Sequence, residues 1–187
     1  MQNELNNCLN IIRSGGTIVF PTDTIWGLGC DATNQTAVDT IFKLKKRDKQ
    51  KPLLILLYDE NRLFDYVKEV PDIAFDLIDL NSKPLTIIYP GAKNLPEGII
   101  AKDGSVAIRI CKDDGSCGDL LYKLRKPLVA TSANISGKNA PFAFNQIPNE
   151  LVENVDVVYK PNYIGTIDKP SQIIKLNRDG SFKIIRT

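Results

Sequence analysis

No histidine occurs anywhere in the 187 residues. That absence removes the Ser-His-Asp and Cys-His nucleophile–base pairs. It removes most zinc centres, and the one side chain that titrates near neutral pH without perturbation. The four cysteines, at 8, 30, 111 and 117, form no CxxC pair and lack the spacing of a metal knuckle. They read as reduced, buried thiols, and with no histidine to act as base none is expected to be a nucleophile. Neither GxxxxGK[ST] nor GxGxxG is present. Apolar runs such as Leu53–Leu57 are far too short to cross a bilayer. The N-terminal MQNELNNCLN has no basic start followed by an apolar stretch, so no secretory signal is read there. A soluble cytoplasmic protein with no membrane partner is expected. If it is an enzyme, it works by binding charge and positioning reactants.

What is present fits one globular domain spanning 1–187. Hydrophobic residues make up 43% and charged residues 25%, with a net charge of +2. The apolar spacing predicts helices over 3–13, 35–46, 60–69, 72–80, 118–125 and 145–153. Strands are predicted at Thr17–Phe20, Leu53–Leu57, Leu85–Tyr89, Leu128–Ala130 and Val155–Tyr159. Ile99–Ala101 and Val106–Ile110 flank Asp103-Gly104 as a hairpin, and Ile173–Leu176 with Phe182–Ile185 form a last one around Arg178-Asp179-Gly180. Helices and strands intermix without a regular βαβ rhythm, which points to a single α/β domain with a twisted, mixed sheet and helices on its faces.

Four segments could carry chemistry. Pro21-Thr22-Asp23-Thr24-Ile25-Trp26-Gly27-Leu28-Gly29 follows a strand end, where ligands of α/β sheets gather. Its glycines would let backbone approach a ligand, but it also reads as a turn bonded to its own backbone, with Trp26 in the core. Lys43, Lys45, Lys46, Arg47, Lys49 and Lys51 crowd a helix end. Cations there complement the helix dipole or clamp a triphosphate. Thr131-Ser132-Ala133-Asn134-Ile135-Ser136-Gly137 is either a capped turn or a cradle for ribose, phosphate or carboxylate. In Ser105-Val106-Ala107-Ile108-Arg109, the Arg shares a strand face with Ser105 and Ala107. It needs an anion, whether ligand or protein carboxylate.

In this order these segments resemble the YrdC/TsaC family of threonylcarbamoyl-adenylate synthases. The resemblance runs from GGTIVFPTDTIWGLGCDATNQTAVDTIFKLKKRDKQKPL through PLT at 84–86, SVAIRI at 105–110 and PLVATSANISG at 127–137 to PSQII and IIR. It implies a YrdC-like fold with an open, positively lined cavity and no further C-terminal domain. The implied reaction joins L-threonine, bicarbonate or CO2, and ATP into threonylcarbamoyl-AMP and pyrophosphate, with Mg2+ on the ATP phosphates and no metal held by protein ligands. The product would serve a tRNA-modifying transferase partner that acts at position 37, and direct tRNA or RNA binding is known among relatives. Lys45 and Arg47 match the catalytic, phosphate-holding pair. Lys51, Ser105, Ser132, Asn134 and Arg186 match further ATP contacts. Thr24, Arg109, Thr131 and Ser171 match the threonine pocket. The chain departs from the family pattern at Trp26, Leu56 and Cys111, and a YciO-like paralogue with another acceptor, or a non-catalytic RNA-binding role, is the alternative implied.

Overall fold

The computed structural model describes residues 2–112, 115–161 and 170–187. Helix α1 (Gln2–Arg13) buries Leu5, Cys8, Leu9 and Ile12 in one stripe at helical spacing and stops at Gly15, whose φ of +88° suits a helix end. Strands β1 (Thr17–Pro21) and β2 (Trp26–Cys30) form an antiparallel hairpin. Helix α2 (Gln35–Lys45) is capped by the Asn34 side chain, which accepts from the Ala37 N–H at 3.2 Å. Strand β3 (Leu54–Leu57) leads to a 3₁₀ turn (Glu60–Arg62), a short α3 (Leu63–Tyr66) and α4 (Ile73–Leu80). Then follow β4 (Leu85–Tyr89), β5 (Val106–Ile110), α5 (Gly115–Leu124), β6 (Leu128–Ser132), α6 (Asn149–Asn154), β7 (Val157–Val158), β8 (Gln172–Leu176) and β9 (Phe182–Arg186).

The strands form one mixed sheet in the order β7-β1-β2-β6-β3-β5-β4-β8-β9, with β1–β7, β3–β5 and β4–β8 parallel and the other pairs antiparallel. Alternation along the strands divides the apolar residues between its two faces. Val19, Ile55, Leu57 and Val129 enter the core shared with α2, α3 and α6. Ile18, Phe20, Leu56, Leu128 and Ala130 meet α1 and α5 on the other side. That second face is only partly covered. Leu56 and Ala130 belong at once to the α1–α5 core and to the lining of a cavity, so the cavity is the uncovered continuation of this face.

Several expected elements form differently. Residues 26–30 are a strand, not a ligand loop. The glycines in it serve close packing: a Cβ at Gly29 would stand 2.4 Å from the Val129 carbonyl oxygen and 2.8 Å from the Phe20 ring. Ile99–Ala101 is no strand; Asp103-Gly104 does make a tight turn, with Ala101 N–H donating to Ser105 O at 2.8 Å. The helix expected over 60–69 ends at Tyr66, since Val67 leaves it to bridge Ala92. The one expected over 145–153 is split by Pro148 into a 3₁₀ turn (Phe144–Gln146) and α6. Strand β6 runs on to Ser132, which places Thr131 and Ser132 on the sheet instead of in a loop. All four cysteines are buried and none is in a disulfide. Among the described residues no helix is long and apolar enough to cross a membrane.

Candidate active site

The cavity has a volume of about 390 Å³. Its floor is a row of residues in register across five strands: Leu56, Arg109, Thr86, Ile173 and Arg186. Behind it Leu54, Ala107, Ala130 and Ile88 continue the lining, and the two alanines leave room a larger side chain would fill. The place of Arg186 depends on a bulge. Ile174 faces Ile184, so regular pairing would set Ile185 against Ile173; the register shift sets Arg186 there instead. Its guanidinium then donates to Ser171 O through Nε at 3.0 Å and Nη2 at 2.7 Å. Burial holds its pKa below the usual arginine range.

Hydroxyls gather at the Arg109 end. Arg109 is buried, pairs with the Asp23 carboxylate and donates to Thr24 Oγ1 at 3.2 Å. Thr24 Oγ1 is 2.8 Å from Thr22 Oγ1. Thr86, directly opposite Arg109, shares a hydrogen bond of 2.8 Å with Ser171 Oγ. Thr22 bonds the local backbone at Ile25, as a turn would, and Thr22 and Thr24 also line the cavity.

At the other end stands Arg47. Its Nε donates to Lys51 O at 2.9 Å and its Nη2 to Pro52 O at 3.1 Å, which leaves Nη1 without a protein acceptor among the described residues. Burial lowers its pKa from the usual value. Thr131 and Ser132 line the same wall, and the Ser132 hydroxyl has no protein partner among the described residues. Three arginines, Arg47, Arg109 and Arg186, are the charged groups of the lining among the described residues. This suits a ligand with more than one anionic group.

The remaining expected site residues stand outside this lining. Lys45 is 1% exposed, and its Nζ donates to Ser132 O, to Asn134 O at 2.7 Å and to Asn134 Oδ1 at 3.3 Å. Its pKa is lowered to about 7, by burial first and by the charge of Arg47 second. Asn134 is buried behind the turn, its Nδ2 donating to Ile135 O and Lys138 O. Ser105 lies in an adjoining recess of about 360 Å³ that shares Pro52, Ile88 and Ala107 with the cavity. It donates there to Asp103 Oδ1 at 2.6 Å. Lys51 is exposed. Trp26 packs edge-on against Phe144 in the core, as expected of it. The rest of the basic run is solvated: Lys46 pairs with Glu150 and Lys49 with Asp39.

Sequence reasoning assigned no site role to Thr22, Asp23 or Thr86. Thr86 carried a signal, as the hydroxyl of the PLT triplet at 84–86 on a strand otherwise apolar. Asp23 carried one as the carboxylate in PTDT that Arg109 required.

Residues 10–187 match the Sua5/YciO/YrdC family, described as telomere recombination. A putative threonylcarbamoyl-AMP synthase of Methanocaldococcus jannaschii is 37% identical over 90% of this chain and 78% of its own length. The threonylcarbamoyl-AMP synthase of Pseudoalteromonas translucida is 29% identical over 92% of each chain. Among solved structures, P. abyssi Sua5 complexed with L-threonine is similar with a TM-score of 0.79 at 29% identity over 92% of this chain. This chain spans about half of that one, 50% of its length.

Proposed function

The chain belongs to the Sua5/YciO/YrdC family, and from that premise we propose that it is an L-threonylcarbamoyladenylate synthase. The observation that carries this reading is the arginine row: a cavity with Arg109 amid hydroxyls at one end, and Arg47 and Arg186 set apart from it. The Arg109 guanidinium with Thr24 takes the amino-acid carboxylate, Ser171 completes that pocket, and Thr131, beside Ser132 on β6, bounds it on the side facing the nucleotide. Arg47, Ser132 and Arg186 face the nucleotide, with Asn134 and Lys45 behind the turn that carries Ser132, and Ser105 and Lys51 at the adjoining recess and rim.

The chemistry needs no protein nucleophile. The neutral amine of threonine takes up CO2, forming the C–N bond and releasing one proton, to give a carbamate. A carbamate oxygen attacks the α-phosphorus of ATP in line, the P–O bond to the β-phosphate breaks, and pyrophosphate leaves with the electron pair. Arginines that bind both reactants supply positioning and charge stabilisation. Mg2+ would enter as part of the MgATP substrate, ligated by phosphate oxygens and water. The product is passed in the cytoplasm to a transferase that modifies tRNA position 37.

Pyrophosphate release by the purified chain with MgATP and bicarbonate, with and without L-threonine, tests this. Release that depends on threonine and on bicarbonate is expected. ATP binding without threonine-dependent release would assign the cavity to another acceptor, as in a YciO-like paralogue.

A further inference from the structure

Protonated lysine, the state of Lys45 below about pH 7, carries three N–H donors and no acceptor. All three of Lys45 are taken, by Ser132 O, Asn134 O and Asn134 Oδ1. The backbone of Lys45 holds the same turn from its far side, since Ser136 N–H donates to Lys45 O at 2.9 Å. Asn134 is equally committed: its Oδ1 faces Lys45, and its Nδ2 donates across the turn to Ile135 O at 3.2 Å and Lys138 O at 2.5 Å. Neither residue lines the cavity, whereas Ser132 and Arg47 do. The anchors of Arg47 are separate from those of Lys45, being Lys51 O, Pro52 O and its own N–H to Phe42 O at 3.0 Å.

Building on the synthase reading of this cavity, we infer that Lys45 is a positioning residue: its ammonium touches no substrate but pins the Ser132–Asn134 turn, and with it the Ser132 hydroxyl, while Arg47 alone of that pair meets phosphate. A buried donor set of this kind fixes a neighbouring loop because freeing it would leave Asn134 O and Oδ1 without a donor and Ser132 O with only the Asn134 N–H. The division of labour places the charge for phosphate on the residue with a free N–H and the order of the turn on the residue with none.

The test uses the full chain and four variants, Lys45→Met, Arg47→Met, Ser132→Ala and the Lys45→Met/Ser132→Ala double variant. Binding of inorganic pyrophosphate is measured by calorimetry. Arg47→Met is expected to weaken it by at least about tenfold, the scale of a charge-assisted hydrogen bond, and Lys45→Met to leave it within about twofold. Equal losses in the two would overturn the inference. ATP binding is expected to weaken in Lys45→Met, and adding Ser132→Ala to it should cost no more than about a further twofold, because the hydroxyl is already displaced. Fully multiplicative losses would overturn it. Amide hydrogen exchange over residues 132–136 should quicken in Lys45→Met and not in Arg47→Met, and unchanged exchange in Lys45→Met would also count against it. If Lys45→Met does not fold, Asn134→Ala reaches the turn from the other side and should show the same pattern, retained pyrophosphate binding with faster exchange. None of these readouts needs turnover. Absent threonine-dependent pyrophosphate release alongside this pattern strikes the proposed reaction and leaves the role of Lys45 standing.

Discussion

Arg109 and Arg186 lie in one row of the sheet, three strands apart, with Thr86 and Ile173 between them. At about 4.8 Å per strand the two Cα atoms are separated by roughly 14 Å, a span that would keep two anionic groups apart in the proposed complex. Arg109→Ala is therefore expected to raise the KM for threonine by about tenfold or more while changing the KM for ATP little. Initial rates of pyrophosphate release against each substrate check this. An unchanged threonine dependence would make the Asp23 pair the whole purpose of Arg109.

The hydroxyl pair Thr86–Ser171 is buried, so Thr86→Val keeps the shape and removes the bond. A loss of about 1 kcal/mol of stability is expected in urea unfolding, together with a raised KM for threonine, because Thr86 faces Arg109 in register.

Gly29→Ala is expected to destabilise by about 1–3 kcal/mol. The new Cβ would meet the Val129 carbonyl oxygen, which is backbone of the neighbouring strand β6 and cannot swing aside. Chemical denaturation at fixed pH measures this; a neutral outcome would mean that β2 and β6 can part.

Stability should pass through a maximum on the alkaline side of neutral. The folded chain holds the Lys45 proton only up to about pH 7, while the unfolded chain keeps it to 10.5. Between these values the unfolded state binds more protons, so stability rises with pH by at most about 1.4 kcal/mol per unit. The burial cost is fully present below pH 7 and gone above 10.5. Cys8 opposes this at higher pH: burial pushes its thiol up to about 12 from 9.0, so above pH 9 the unfolded chain sheds a proton that the folded chain retains. Cys30 and Tyr89 shift in the same direction, also through burial. Urea unfolding from pH 6.5 to 9.5 should show the rise in the parent chain and its absence in Lys45→Met.

Much of this molecule could be read from local chemistry. The stripe of α1, the burial of β3 and the final hairpin around Gly180 each follow from spacing or from a residue type at its usual place. Strand β2 could not be read so. Its glycines look like a loop until Phe20 and Val129 are seen to occupy the space where side chains would be. The same holds for the basic run at 43–51. Sequence offers six cations in nine residues; the fold buries one, ties two to carboxylates and turns one into the cavity.

The sequence by itself determined the kind of chemistry. A chain without histidine, with arginines at strand ends and hydroxyls beside them, can bind anions and position reactants but has no side chain that titrates near neutral pH unless the fold shifts it. Its alternating strands and striped helices also determined an α/β sandwich of helices on a mixed sheet. Tertiary structure alone decided which arginines share a cavity. That depends on strand register between residues far apart in the chain, here the parallel pairing of β4 with β8 and the bulge that brings Arg186 opposite Ile173. A period of two tells which face a side chain takes but carries no record of its partner across the sheet. The inward turn of the Lys45 ammonium was decided in the same way, by carbonyl oxygens some ninety residues away in sequence that meet it only once the sheet has closed over them.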